Sequence, residues 1–182
     1  MTPDQVITVR LDAAQLRFIR ENAKKAEIGG RSNIRGRQER MESLGEDQLI
    51  GQVGLFVGNY WLSGSDTAYL TSRWFQNMFP RRGDRGGDVP GANVDFKCSL
   101  MRAGKDPMEY RLLVRPRERH PGWVYVLALV ESLDDDGAVV HLVGWMEDGE
   151  LPQETATGGP FAGAHVVKAE NLHPLPPLTW WR

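Results

Sequence analysis

Cysteine is all but absent: Cys98 stands alone among 182 residues. A single thiol cannot close an internal disulfide. That excludes a disulfide-stapled scaffold and fits a reducing, cytoplasmic setting. Lying in an apolar run, Cys98 reads as a small buried strand thiol rather than a nucleophile. Long apolar runs are missing too. None approaches the roughly 20 residues of a membrane-spanning helix, and Met1-Thr2-Pro3-Asp4-Gln5 lacks the basic stretch and apolar core of a secretory signal. Lysine is scarce, with five against seventeen arginines. A net charge of −2 excludes a polycation that coats nucleic acid by charge alone, but leaves room for a local basic groove. There is no Gly-x-x-x-x-Gly-Lys phosphate loop. His120, His141, His165 and His173 show no metal-ligand spacing, and no cysteine partners support a zinc site.

What is present is an ordinary globular composition, 41% hydrophobic and 25% charged, on a chain long enough for one domain with a full core. Residues 6–10 read as a short strand. A helix over residues 13–26 follows, with Asp12 placed to cap it and Gly29-Gly30 to end it. Residues 31–40 form a basic, glycine-punctuated linker. Leu49, Ile50, Val53, Phe56, Val57 and Tyr60 recur at helical spacing and predict a helix over 47–62. Gly51, Gly54 and Gly58 are costly inside a helix, so they predict a close approach to another element. A third helix is expected over 66–78 and a polar loop over 81–87.

The pattern then turns to strands, at 92–100, 109–114, 123–130, 138–145 and 164–168. The third is almost continuously apolar, as a central strand should be. Asp134-Asp135-Asp136-Gly137 reads as the turn between the third and fourth, more readily than as a cation site. Trp180-Trp181 reads as a cap on the core. Helices first and mixed strands later predict a mixed α/β or α+β fold with a central mixed sheet flanked by helices. Residues 1–40, a strand, a helix and the linker, pack on a core formed by 41–182 in one overall domain.

One segment carries chemistry: Gly86-Gly87-Asp88-Val89-Pro90-Gly91-Ala92-Asn93-Val94-Asp95-Phe96-Lys97-Cys98. Strand alternation projects Asp95 and Lys97 from one face. A tight glycine-rich bend can return Asp88 beside them. Two carboxylates and an ammonium converging there suit a hard divalent cation and a positioned water, the chemistry that cuts phosphodiester bonds. Asp84 is a competing first carboxylate, but needs a longer loop to reach the strand. Arg111, Arg115, Arg117 and Arg119 read equally well as a DNA groove or as a solvated strand end.

This arrangement resembles the PD-(D/E)XK nuclease superfamily over roughly residues 45–145. The first aspartate of the family matches Asp88, and its acid-x-Lys matches Asp95 and Lys97. The resemblance implies a restriction-endonuclease-like core and a metal-dependent nuclease, of phage- or restriction-associated type, that hydrolyses DNA. Asp88, Asp95 and the Phe96 carbonyl would hold Mg²⁺, with Mn²⁺ as a substitute, and Lys97 would orient the attacking water. DNA is the implied partner, no membrane is involved, and a nuclease cutting both strands would often be a homodimer. The chain departs from the family on the first core helix. Gly51-Gln52-Val53-Gly54-Leu55 puts leucine where an acid is usual, with Gln52 on the same helical face. A glutamine carbonyl can contact a metal-bound water but brings no charge. The alternative is therefore a catalytically inactive nuclease-fold protein that binds nucleic acid or serves as an assembly subunit.

Overall fold

The apolar run after Gly122 becomes the middle of the molecule. In the computed structural model, residues 1–30, 41–64, 88, 92–158 and 162–176 are described, with side chains at all of these except 22–30 and 41–48. The run forms β4 (Val124–Leu133), buried from Tyr125 through Val130. Burial on both faces is why its sequence shows no alternation. Around it lie β1 (Ile7–Asp12), β2 (Val94–Leu100) and β5 (Gly137–Glu147), in the sheet order β1-β5-β4-β2. β5 is antiparallel to β1 and to β4, whereas β2 runs parallel to β4. The sheet is therefore mixed. β3 (Arg111–Val114) and β6 (His165–Lys168) form a separate antiparallel ribbon. The N-terminal strand is integral to the main sheet rather than an appendage.

Alternation sorts the core into two layers. Val126, Ala128, Val130, Val140 and Leu142 face α1 (Ala13–Gly30) and α2 (Met41–Ser63), where they meet Leu16, Ile19, Val53, Phe56 and Val57. Tyr125, Leu127, Leu129 and Val143 face the opposite way, against Leu112 and Val114 of β3 and Val167 of β6. The result is helices, sheet and ribbon in three layers. Among the described residues no helix is long and apolar enough to cross a membrane.

Local chemistry explains the joints. Asp12 Oδ1 accepts from the Gln15 amide at 2.8 Å, and the Gln15 side chain returns to the Asp12 amide at 3.0 Å, a reciprocal cap that starts α1. In the β4–β5 turn, Asp134 Oδ1 accepts from the Asp136 and Gly137 amides, and Asp135 pairs with Arg20 at 2.8 Å. The acidic turn thus builds the hairpin. Gly137 holds φ at +153°, and a Cβ there would lie 2.1 Å from the Leu11 carbonyl oxygen, so β1 can close on β5 only past a glycine.

Several boundaries differ from the sequence reading. α1 runs through Gly29-Gly30 instead of ending before them, β1 extends to Asp12, β4 to Leu133 and β5 to Glu147. α2 begins at Met41 rather than at 47, because its apolar periodicity starts later than its backbone bonds. β3 begins at Arg111 rather than at 109, because Pro107–Glu109 forms a 3₁₀ turn capped by Asp106 Oδ1, which accepts from the Met108 amide at 2.7 Å. The expected linker 31–40, helix 66–78, loop 81–87 and Trp180-Trp181 lie outside the described residues.

Candidate active site at the sheet edge

β2 is an edge strand, and Asp88 occupies its open side. The Asp88 amide donates to the Val94 carbonyl at 2.7 Å, and the Phe96 amide donates to Asp88 Oδ2 at 2.6 Å. Asp88 thus lies against the strand at Val94 and Phe96. A side chain from α2 holds it there. Asn59, fully buried, donates through Nδ2 to the Leu55 carbonyl at 2.8 Å and to the Asp88 carbonyl at 2.9 Å. Its Oδ1 has no hydrogen-bond partner among the described residues.

The glycines of α2 set how close this helix comes. A Cβ on Gly54 would lie 1.9 Å from Cys98 Sγ, and one on Gly58 would lie 2.2 Å from the Phe96 ring. A Cβ on Gly51 would meet nothing within 4 Å among the described residues, so the expected close approach is seen at Gly54 and Gly58. Phe96 and Cys98 therefore face α2, and Asp95 and Lys97 project from the other face. Burial pushes the Cys98 thiol well above its ordinary range, with the Asp88 and Asp95 carboxylates adding to the effect. That direction disfavours the thiolate.

On the Asp95 face, Lys97 Nζ lies 2.7 Å from Asp95 Oδ2 and 3.1 Å from Glu118 Oε2. It also sits 5.9 Å from the centre of the Tyr125 ring, on the strand position paired with Asp95. Glu118 ends the 3₁₀ turn Pro116–Glu118 that follows β3, and its Oε1 accepts from Arg115 at 3.2 Å. Burial pushes the Lys97 ammonium toward losing its proton, but the Asp95 and Glu118 carboxylates outweigh it and leave the pKa above the ordinary lysine value. These carboxylates favour the charged form of Lys97, which donates hydrogen bonds to both. For Glu118, burial acts upward, and hydrogen bonds from Lys97 and Arg115 bring its pKa below the ordinary range.

A brace stands behind this turn. Arg119 Nε and Nη2 grip the buried Asp148 carboxylate at 3.0 and 2.9 Å, and Nη2 reaches the Asp148 carbonyl at 2.8 Å. The Tyr125 hydroxyl accepts from the His120 amide at 2.8 Å and can donate its one proton to either of two acceptors at 3.1 Å, Asp148 Oδ1 and the Glu118 carbonyl. Burial, with Asp148 and Asp95 nearby, pushes the Tyr125 phenol up to about 12. The Arg119 hydrogen bonds, opposed by burial, hold Asp148 below its ordinary value. Stability from this pair is complete above the ordinary aspartate range and is lost as pH falls through the depressed Asp148 value. An Asp148→Asn protein should melt earlier at neutral pH and lose part of the acid-side fall in Tm. Melting curves between pH 2 and 7 check this, and parallel curves for the two proteins would refute it.

The row of arginines splits by role. Arg119 belongs to the brace, while Arg111 and Arg115 line a cavity beside Lys97. Among the predicted site residues, the fold brings Asp88, Asp95, Lys97 and the Phe96 backbone together along β2. Gln52 sits half-buried on α2, the helix that covers the other face of the strand. Asn59, Glu118, Tyr125 and Asp148 were not anticipated. Only Asn59 left a signal, an amide set within the apolar stretch from Leu55 to Leu62. A scan of protein-family models, a search of curated proteins and a search of solved structures each returned no match.

The donor set bears on a metal. The Phe96 carbonyl shares the open edge with its own amide, so it lies on the Asp88 side of the strand. Two carboxylates and a carbonyl are hard oxygen donors of the kind Mg²⁺ accepts. Among the described residues, no three acidic, histidine or cysteine side chains gather in a group that could hold a metal.

Proposed function

We propose that the chain is a metal-dependent nuclease of PD-(D/E)XK type that hydrolyses DNA phosphodiester bonds. The observation that carries this reading is the meeting of Asp95 and Lys97 on one face of an edge strand, with Asp88 returned to the same strand at Phe96. Asp88, Asp95 and the Phe96 carbonyl would hold Mg²⁺, or Mn²⁺ in its place. The ion would supply an activated water and neutralise charge on the phosphate. Lys97, as an ammonium, would orient that water and stabilise negative charge growing on the phosphate oxygens. Asp95 keeps Nζ in position for this, and Asn59 keeps Asp88 at the strand. With Leu55 in place of a helix acid, Gln52 would contribute at most a neutral contact to a bound water.

One observation favours a second reading. With no group of three metal-binding side chains among the described residues and Lys97 already paired with two carboxylates, the same scaffold would serve as an inactive nucleic-acid-binding or assembly subunit. Calorimetric titration of Mn²⁺ into wild type and Asp95→Ala, followed by digestion of supercoiled, linear and single-stranded DNA, decides between them. Wild type is expected to bind and cut, and the variant to do neither. Intact DNA in every form at saturating metal would favour the inactive protein.

A further inference from the structure

A cavity of about 290 Å³ opens beside the Asp95–Lys97 face. Its walls include Lys97 and Ser99 of β2, Arg111, Leu113 and Arg115 of β3, and Glu118. Strand geometry explains the basic side. Leu112 and Val114 are buried in the core, so Arg111, Leu113 and Arg115 fall on the other side of β3, two residues apart. Counting Asp95, which lies 2.7 Å from Lys97, three cations face two carboxylates and leave one positive charge in excess. Lys97 and Arg115 both bond to Glu118, whereas Arg111 is exposed and has no ion-pair partner among the described residues. The volume is at the lower end for small-molecule sites, and the polar walls suit an anion better than an apolar ligand. Glu118 shows which anion shape fits. Its two oxygens span Lys97 Nζ and Arg115 Nη1, at 3.1 and 3.2 Å, as the two non-bridging oxygens of a phosphodiester can.

We infer that this cavity is a subsite for a phosphodiester of a DNA strand, next to the Asp95–Lys97 centre, and that Glu118 holds its cations until a strand displaces it. The choice of DNA rests on the nuclease reading; the cationic cavity and its internal carboxylate do not. Glu118 is then a competitor of the ligand rather than a part of the site. Removing its charge frees Arg115, and leaves Lys97 with Asp95 as its one remaining carboxylate partner, so phosphate binding should tighten.

The test is binding of labelled single-stranded and duplex oligonucleotides in EDTA, where no cutting occurs, across a salt series. Glu118→Gln should tighten binding roughly three- to tenfold. The double variant Arg111→Gln, Arg115→Gln should weaken it roughly tenfold and reduce the slope of log affinity against log salt by about 1. Arg20→Gln, a surface change beside the β4–β5 turn, should alter affinity less than twofold. Inorganic phosphate should compete in the millimolar range. The two arginines carry short, surface-facing roles, so their variant sustains the test if Glu118→Gln does not fold. Weaker binding by a folded Glu118→Gln protein would overturn the inference, as would wild-type affinity in the arginine variant. Binding of phosphate without binding of DNA would overturn the assignment to a strand. DNA bound with the expected signs but never cut in Mg²⁺ would defeat the nuclease reading and leave this one standing. DNA cut by wild type and bound equally by the arginine variant would defeat this one alone.

Discussion

Lys97→Met should lower metal-dependent DNA cleavage by roughly 100- to 1000-fold, the usual loss when one preorganised electrostatic stabiliser is removed. The side chain is a cation held 2.7 Å from Asp95 and 3.1 Å from Glu118. Methionine keeps much of the volume and removes only the charge. Asp95 Oδ2 is then released from its ammonium partner, so Mn²⁺ affinity should persist or rise while turnover collapses. That split separates a catalytic role from a structural one, because a protein that had merely lost its site would lose both. Lys97→Arg keeps the charge but not the compact ammonium, and should recover only part of the activity. Calorimetry for the metal and single-turnover cleavage for the chemistry provide the two readouts. Full activity in Lys97→Met would end the proposed mechanism.

The second large effect is on stability. Replacing both Gly54 and Gly58 by alanine should cost ~2–4 kcal/mol, despite the better helix propensity of alanine, because overpacking outweighs it. The new methyl groups would lie 1.9 Å from Cys98 Sγ and 2.2 Å from the Phe96 ring. Neither neighbour has room to retreat: Phe96 is buried in the core, and Cys98 is packed against it. The helix must therefore move off β2. That movement also draws Asn59 from the Asp88 carbonyl, so the stability loss should be accompanied by weaker metal binding. Adding Cys98→Ala to Gly54→Ala should recover about half of the single-variant cost, a coupling that denaturant titrations in a double-mutant cycle measure. Strict additivity would mean that the contact is not the cause.

The placement of these glycines shows how unevenly a chain advertises its structure. Three glycines in an apolar helix announce that something comes close. They do not say what, and one of them, Gly51, has no close neighbour among the described residues. The strand neighbours that make Gly54 and Gly58 necessary lie some 40 residues away along the chain. Similarly, Asp88 and the Asp95–Lys97 pair were legible because a bend and a two-residue period are short-range features. Glu118 was not, since an acid in a Pro-Arg-Glu turn looks like any solvated turn until β3 packs on the sheet.

What the sequence determined by itself was local. The Asp12–Gln15 cap, the Asp134 turn, the apolar run of the central strand and the shared face of Asp95 and Lys97 all follow from bonds and periods spanning a few residues. The tertiary structure alone decided which partners those groups meet. The parallel pairing of β2 with β4 places Tyr125 beside Asp95, the ribbon layer brings Glu118 across 21 residues to Lys97, and the approach of α2 sets Asn59 on Asp88. The reason is physical. Hydrogen bonds and alternation act within a segment, whereas contacts between layers depend on how whole faces of apolar side chains bury one another, and no short stretch of chain carries that information.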